Sequence, residues 1–105
     1  MDTVEAARKI YRYLRESFDK LRLHGRDGLI KVSSRRLARR FYMNGRSISR
    51  ALRLLEDWGA IKIVKSRQKS CWTSYIIEMD PSRSLDEILR ERERRLRGVI
   101  SGLAD

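Results

Sequence analysis

The chain has 105 residues, 37% of them charged, with a net charge of +11 and one cysteine. That length builds a single domain with a modest core, and a lone Cys71 closes no internal disulfide and makes no zinc site by itself. The cationic balance favours a polyanionic partner, nucleic acid ahead of an anionic membrane. No apolar run approaches a bilayer span and the start MDTVEAARKIY has no signal-peptide core, so a soluble cytoplasmic protein without membrane contact is expected.

Charge is unevenly placed. Residues 1–27 hold seven bases and five acids, residues 28–77 twelve and two, and residues 78–105 six and seven. The middle therefore carries nearly the whole excess, and the ends have another task.

In chain order, residues 3–24 read as one helix. Val4, Ala7, Tyr11, Leu14, Phe18 and Leu21 alternate steps of three and four, making one apolar stripe. Asp2 and Glu5 stand three apart at its start, as in a capping box. Gly25 and Gly28 bracket a turn, and Leu29 to Val32 alternates as a short strand.

Two short amphipathic helices joined by a tight turn follow. Ser33 is placed to cap the first, whose apolar side is Leu37, Ala38 and Phe41. The second opens after Asn44-Gly45, buries Ile48, Leu52 and Leu55, and stops at Gly59. Their outer sides are strongly basic: between Gly28 and Leu55 there are eight Lys or Arg residues and no acid. Leu54 and Trp58 share a face beside the core stripe and need cover from the last helix or from a second subunit. Ile61–Lys65 and Cys71–Glu78 read as two hairpin strands, with Ser66–Ser70 as a polar, basic tip. Lys62, Lys65, Arg67 and Lys69 lack acidic neighbours, which favours contact with a partner over an ordinary solvated turn.

The run L37-A-R-R-F-Y-M-N-G-R-S-I-S-R-A-L52, continued by L55-E-D-W-G-A-I61, resembles the winged helix-turn-helix proteins, especially archaeal and bacterial transcription regulators. The resemblance spans roughly Leu29 to Glu78, with Tyr42 where the family usually places glycine. It implies an α+β fold, with a winged helix-turn-helix domain over residues 1–80. The helix from Arg46 would lie in a DNA major groove, with Arg46, Ser47, Ser49, Arg50 and Arg53 projecting into it. Arg35, Arg36 and Arg39 would hold phosphates beside it, and Arg67, Gln68 and Lys69 at the wing tip would grip the flank.

Asp80-Pro81 interrupts the chain, and Ser84 to Glu87 opens a last helix over the segment 81–105. Leu85, Leu89, Arg92, Leu96, Val99 and Leu103 alternate steps of four and three with Ile88 and Ile100 flanking, a heptad seam. A helix of this length docks somewhere. It packs on helix 1 of its own chain or pairs with its copy. The expectation is a coiled-coil homodimer, to which Leu54 and Trp58 also contribute.

No enzyme is expected. His24 has no partner nearby in sequence, Cys71 has no adjacent histidine, and neither a phosphate loop nor a metal-ligand cluster is present. No cofactor and no small-molecule ligand are implied. The leading expectation is sequence-specific binding to double-stranded DNA as a homodimer in transcriptional regulation. The alternatives are a nucleoid-type non-specific DNA binder and an RNA-binding component, because N44-G-R-S-I-S-R-A-L-R-L-L-E56 is also similar to a basic winged-helix protein of the small ribosomal subunit. A protein adaptor is disfavoured by so basic a surface.

Overall fold

A computed structural model describes residues 1–104, and side chains as far as Val99. The elements run α1 (Thr3–Glu16), α2 (Phe18–Leu21), β1 (Leu29–Ser33), α3 (Ser34–Phe41), α4 (Gly45–Asp57), β2 (Lys62–Lys69), β3 (Trp72–Glu78) and α5 (Leu85–Ala104). The architecture is α+β, with helices on one face of a three-stranded antiparallel sheet of order β1-β3-β2. This order of elements is compatible with a winged helix.

The first helix is shorter than its apolar stripe implies. Asp2 caps it, its side chain accepting from the Glu5 N–H at 2.8 Å. The helix ends at Glu16, and Ser17 leaves helical geometry at φ −102°, ψ 9°. One further turn, α2, then sends Leu21 down onto the sheet, where it is buried. Had the helix run straight, each further residue would have risen about 1.5 Å along the α1 axis instead of turning at Ser17. Packing overrides the local periodicity here.

The core forms where α1 crosses α4. Ala6, Ala7, Ile10 and Leu14 meet Ile48, Ala51, Leu52 and Leu55, all fully buried. The alanines let the two backbones come close. Beneath them the register sets Ile30 opposite Ile77 and Val32 opposite Tyr75, so these four residues share the inner side of the sheet.

Two stops define α3 and α4. Tyr42 ends α3 in the left-handed region at φ 54°, ψ 48°, and the Met43 N–H returns to the Ala38 carbonyl at 3.0 Å. Gly59, at φ +80°, ends α4 while the Ala60 N–H reaches the Leu55 carbonyl at 2.9 Å. Glycine suits that conformation because it has no Cβ to clash.

The hairpin differs from expectation. β2 extends through Lys69, so the basic segment expected as a loop is mostly paired strand, closed by a two-residue turn at Ser70-Cys71. Ser70 takes the positive φ, 61°, that such tight turns need. A register shift between Ile63 and Lys65 leaves Val64 as a bulge.

The last helix docks on its own chain at its start. Leu85 and Ile88 are 8% and 5% exposed and belong to the core, and Leu89 packs against it half-buried. Tyr11 donates its hydroxyl hydrogen to the Arg83 carbonyl at 2.9 Å, and Arg15 donates through Nε to the Pro81 carbonyl at 3.0 Å. Arg8 and Asp86 pair at 3.3 Å, and Arg83 pairs with Glu91. Leu85 and Ile88, expected on a seam between subunits, are thus corrected to core residues. Residues 81–89 are packed as part of the domain. Beyond them Arg92 is exposed, with Leu96 at 48% and Val99 at 61%. The side chains of Ile100 and Leu103 lie outside the described residues.

Candidate nucleic-acid interface

The α3–α4 pair is held by caps that the sequence supplies locally. Ser33 Oγ accepts from the Arg36 N–H at 3.1 Å, and Asn44 Oδ1 accepts from the Ser47 N–H at 2.8 Å. The neighbouring Ser34 does something else. It is buried, and its Oγ accepts from the Thr73 N–H at 2.8 Å, tying the hairpin to α3. The sequence alone does not divide the two serines' tasks.

With Ile48, Ala51, Leu52 and Leu55 turned inward, helical periodicity turns Arg46, Arg50 and Arg53 outward in one stripe, and all three are exposed. At about 1.5 Å per residue the stripe is roughly 10 Å long. Arg35, Arg36, Arg39 and Arg40 are likewise exposed on α3. The Arg40 guanidinium, however, lies 5.5 Å from the centre of the Tyr13 ring, and that ring meets Phe41 edge-on at 5.8 Å. It is therefore turned back onto α1.

Every ion pair among the described residues lies on α1 or in the segment 83–97, with Arg8–Asp86 joining the two. None involves the bases of residues 17–79. The nearest acid to the stripe, Glu56, is engaged locally: its Oε2 accepts from the Ile63 N–H at 2.7 Å. Among the described residues, the arginines of α3 and α4 consequently have no ion-pair partner.

Ser49 is not part of the outward stripe. Its hydroxyl shares a 2.9 Å hydrogen bond with that of Tyr75, under the hairpin, so as a groove contact it is corrected to a helix–sheet tie. The two-residue spacing of Tyr75 from Ile77 is the sequence signal that marks it as inward-facing. Ser47 is half-buried, with its N–H held by the cap.

The paired hairpin splits the expected tip residues between two faces. Ser66 and Gln68 line a cleft of about 390 Å³ together with Ser49 and Arg53 of α4. Lys65, Arg67 and Lys69 turn to the other side of the sheet, where they line a cleft with Lys31 of β1. Gln68 borders both. Arg67 and Lys69, expected to grip the flank of the duplex on α4, are thus corrected to the far face of the sheet.

Leu54 and Trp58 are half-buried against the chain's own core. Trp58 shares a cleft of about 250 Å³ with Ile88, Arg92 and Arg95 of α5. His24 and Cys71 are exposed, Cys71 as a free thiol at the hairpin turn. No group of three potential metal ligands occurs among the described residues. Among them, too, no helix is long and apolar enough to cross a membrane. Among the described residues, three titrations are displaced. Burial pushes the Tyr11 hydroxyl up, hydrogen bonds from Ser82 hold Asp80 down, and the Arg95 hydrogen bond, with the charge of Arg83, holds Glu91 down.

Comparison with protein-family models, with curated proteins and with solved structures yields no match for this chain.

Proposed function

We propose that the chain is a winged helix-turn-helix protein that binds double-stranded DNA through α4, in sequence-specific regulation of transcription. The observation that carries this reading is the exposed stripe Arg46, Arg50 and Arg53, with no ion pair among the described residues, on a helix whose opposite side is fixed in the core. Arginine bridges guanine O6 and N7 with its planar fork, and a rigid helix about 10 Å wide fits the major groove. Arg35, Arg36 and Arg39 would grip flanking phosphates, and Ser66 and Gln68 would close the hairpin side. In this reading two copies pair through the exposed end of α5, around Leu96 and Val99, and present two stripes to a palindrome.

Fluorescence anisotropy with a random duplex pool, followed by selection of the bound sequences, tests the reading. Enrichment of a palindrome with half-sites about 34 Å apart supports the dimeric form. Binding without enrichment makes the chain a non-specific DNA binder, and preference for structured RNA at equal salt overturns the DNA assignment. Affinity should fall by orders of magnitude over a few-fold rise in salt, because each phosphate neutralised releases bound counterions. Sedimentation of the wild type against Leu96→Glu tests the pairing. A wild type that sediments as a monomer removes the palindrome.

A further inference from the structure

The outer face of the sheet carries charge that the α4 reading does not use. In the register Lys31 stands opposite Ile76 and Ile76 opposite Lys65, while Ser74 opposes Arg67. Directly opposed residues in antiparallel strands share a face. With the inner side taken by Ile30, Val32, Tyr75 and Ile77, the block of Lys31, Lys65 and Arg67 faces away from the helices. The cleft there, about 500 Å³, has cationic walls and Ile76 in its lining, and no carboxylate borders it among the described residues. A second cleft at the β1 edge shares Lys31 and Ser74 with it and adds Lys20. None of these cations has an ion pair among the described residues.

Spacing makes this face suited to a polyanion. Strands lie about 4.8 Å apart, which sets Lys31 and Lys65 roughly 10 Å apart across β3. Alternate residues on β2 advance by about 7 Å. Cations so placed repel one another and gain nothing from packing, because they are exposed. A low-dielectric floor beside them focuses their field outward. A phosphate backbone relieves the repulsion and gains the entropy of its released counterions. The sheet itself separates this face from α4, which meets the inner side through Ser49 and Tyr75. A duplex seated on Arg46, Arg50 and Arg53 therefore leaves Lys31 and Lys65 open.

We propose that the outer sheet face is a second phosphate-binding surface that takes another duplex segment, so that one chain joins two duplexes. The identity of the polyanion as DNA rests on the function proposed above; the charge of the face does not.

The test immobilises one short duplex on beads, adds the protein, and measures capture of a second, fluorescent duplex. The variants are Lys20→Gln/Lys31→Gln/Lys65→Gln, which leaves α3 and α4 intact, and Leu96→Glu, which removes pairing of subunits. Wild type and Leu96→Glu are expected to capture the second duplex. The triple variant should still anchor to the first, with capture at least about tenfold lower and a salt slope reduced by about 2.7 for three lost phosphate contacts. Anchoring without capture by the wild type overturns the proposal and leaves DNA binding standing. Undiminished capture by the triple variant, or loss of capture in Leu96→Glu, assigns the bridging to subunit pairing and also overturns it. If the wild type anchors to no duplex, the DNA assignment fails and this proposal falls with it.

Discussion

Replacing Tyr42 by glycine should stabilise the protein. Tyr42 holds φ 54°, ψ 48° at the end of α3, and its side chain is 96% exposed. A left-handed conformation costs an L-residue about 1–2 kcal/mol, which glycine avoids. Against that, glycine's freer unfolded chain costs about 0.4–1 kcal/mol, while an exposed ring forfeits almost no buried area. The net gain is about 0.5–1 kcal/mol, or roughly 2–8 °C in the melting midpoint of a domain this size. Thermal unfolding followed by circular dichroism measures it. Tyr42→Ala keeps the backbone strain and removes only the ring, so its midpoint should stay close to the wild type. If Tyr42→Gly melts lower than wild type while Tyr42→Ala melts equally low, the ring is a packing element and the strain argument is refuted.

Three further outcomes are expected. Arg50→Ala should weaken duplex binding by about 1–3 kcal/mol and blur base preference, while Arg40→Ala, whose guanidinium sits on Tyr13, should cost much less; equal losses in an anisotropy titration would contradict the stripe. Leu52→Ala empties a fully buried site between α1 and α4 and should destabilise by about 2–5 kcal/mol in urea unfolding. The Glu91 carboxyl titrates below its ordinary 4.5 because Arg95 hydrogen-bonds it and Arg83 adds its charge. The folded state thus releases this proton more readily than the unfolded one, so the pair's contribution is fully present above pH 4.5 and is lost as pH falls through the depressed value. Limited proteolysis of α5 should accelerate over that acid range in the wild type, and Glu91→Gln should lose the acid-dependent step.

Much of this molecule is legible from short stretches of its sequence. Ser33, Asn44 and Gly59 mark where α3 and α4 begin and end, because caps and stops act through hydrogen bonds within a few residues. The inward Ile48, Leu52 and Leu55, and hence the outward Arg46, Arg50 and Arg53, follow from helical periodicity alone. Arg40 was equally visible as exposed, but its stacking on Tyr13 joins residues far apart in the chain.

The tertiary structure decided the rest. It broke the first helix at Ser17 so that Leu21 reaches the sheet, which no periodicity within residues 3–24 records. Pairing with β3 drew the expected tip into a strand and sent Arg67 and Gln68 to different sides, because a strand alternates its side chains where a loop does not. Ser49 was claimed by Tyr75, and Leu85 and Ile88 by the core. A local pattern says which residues share a side of an element. What covers that side depends on segments that meet only after the chain has folded.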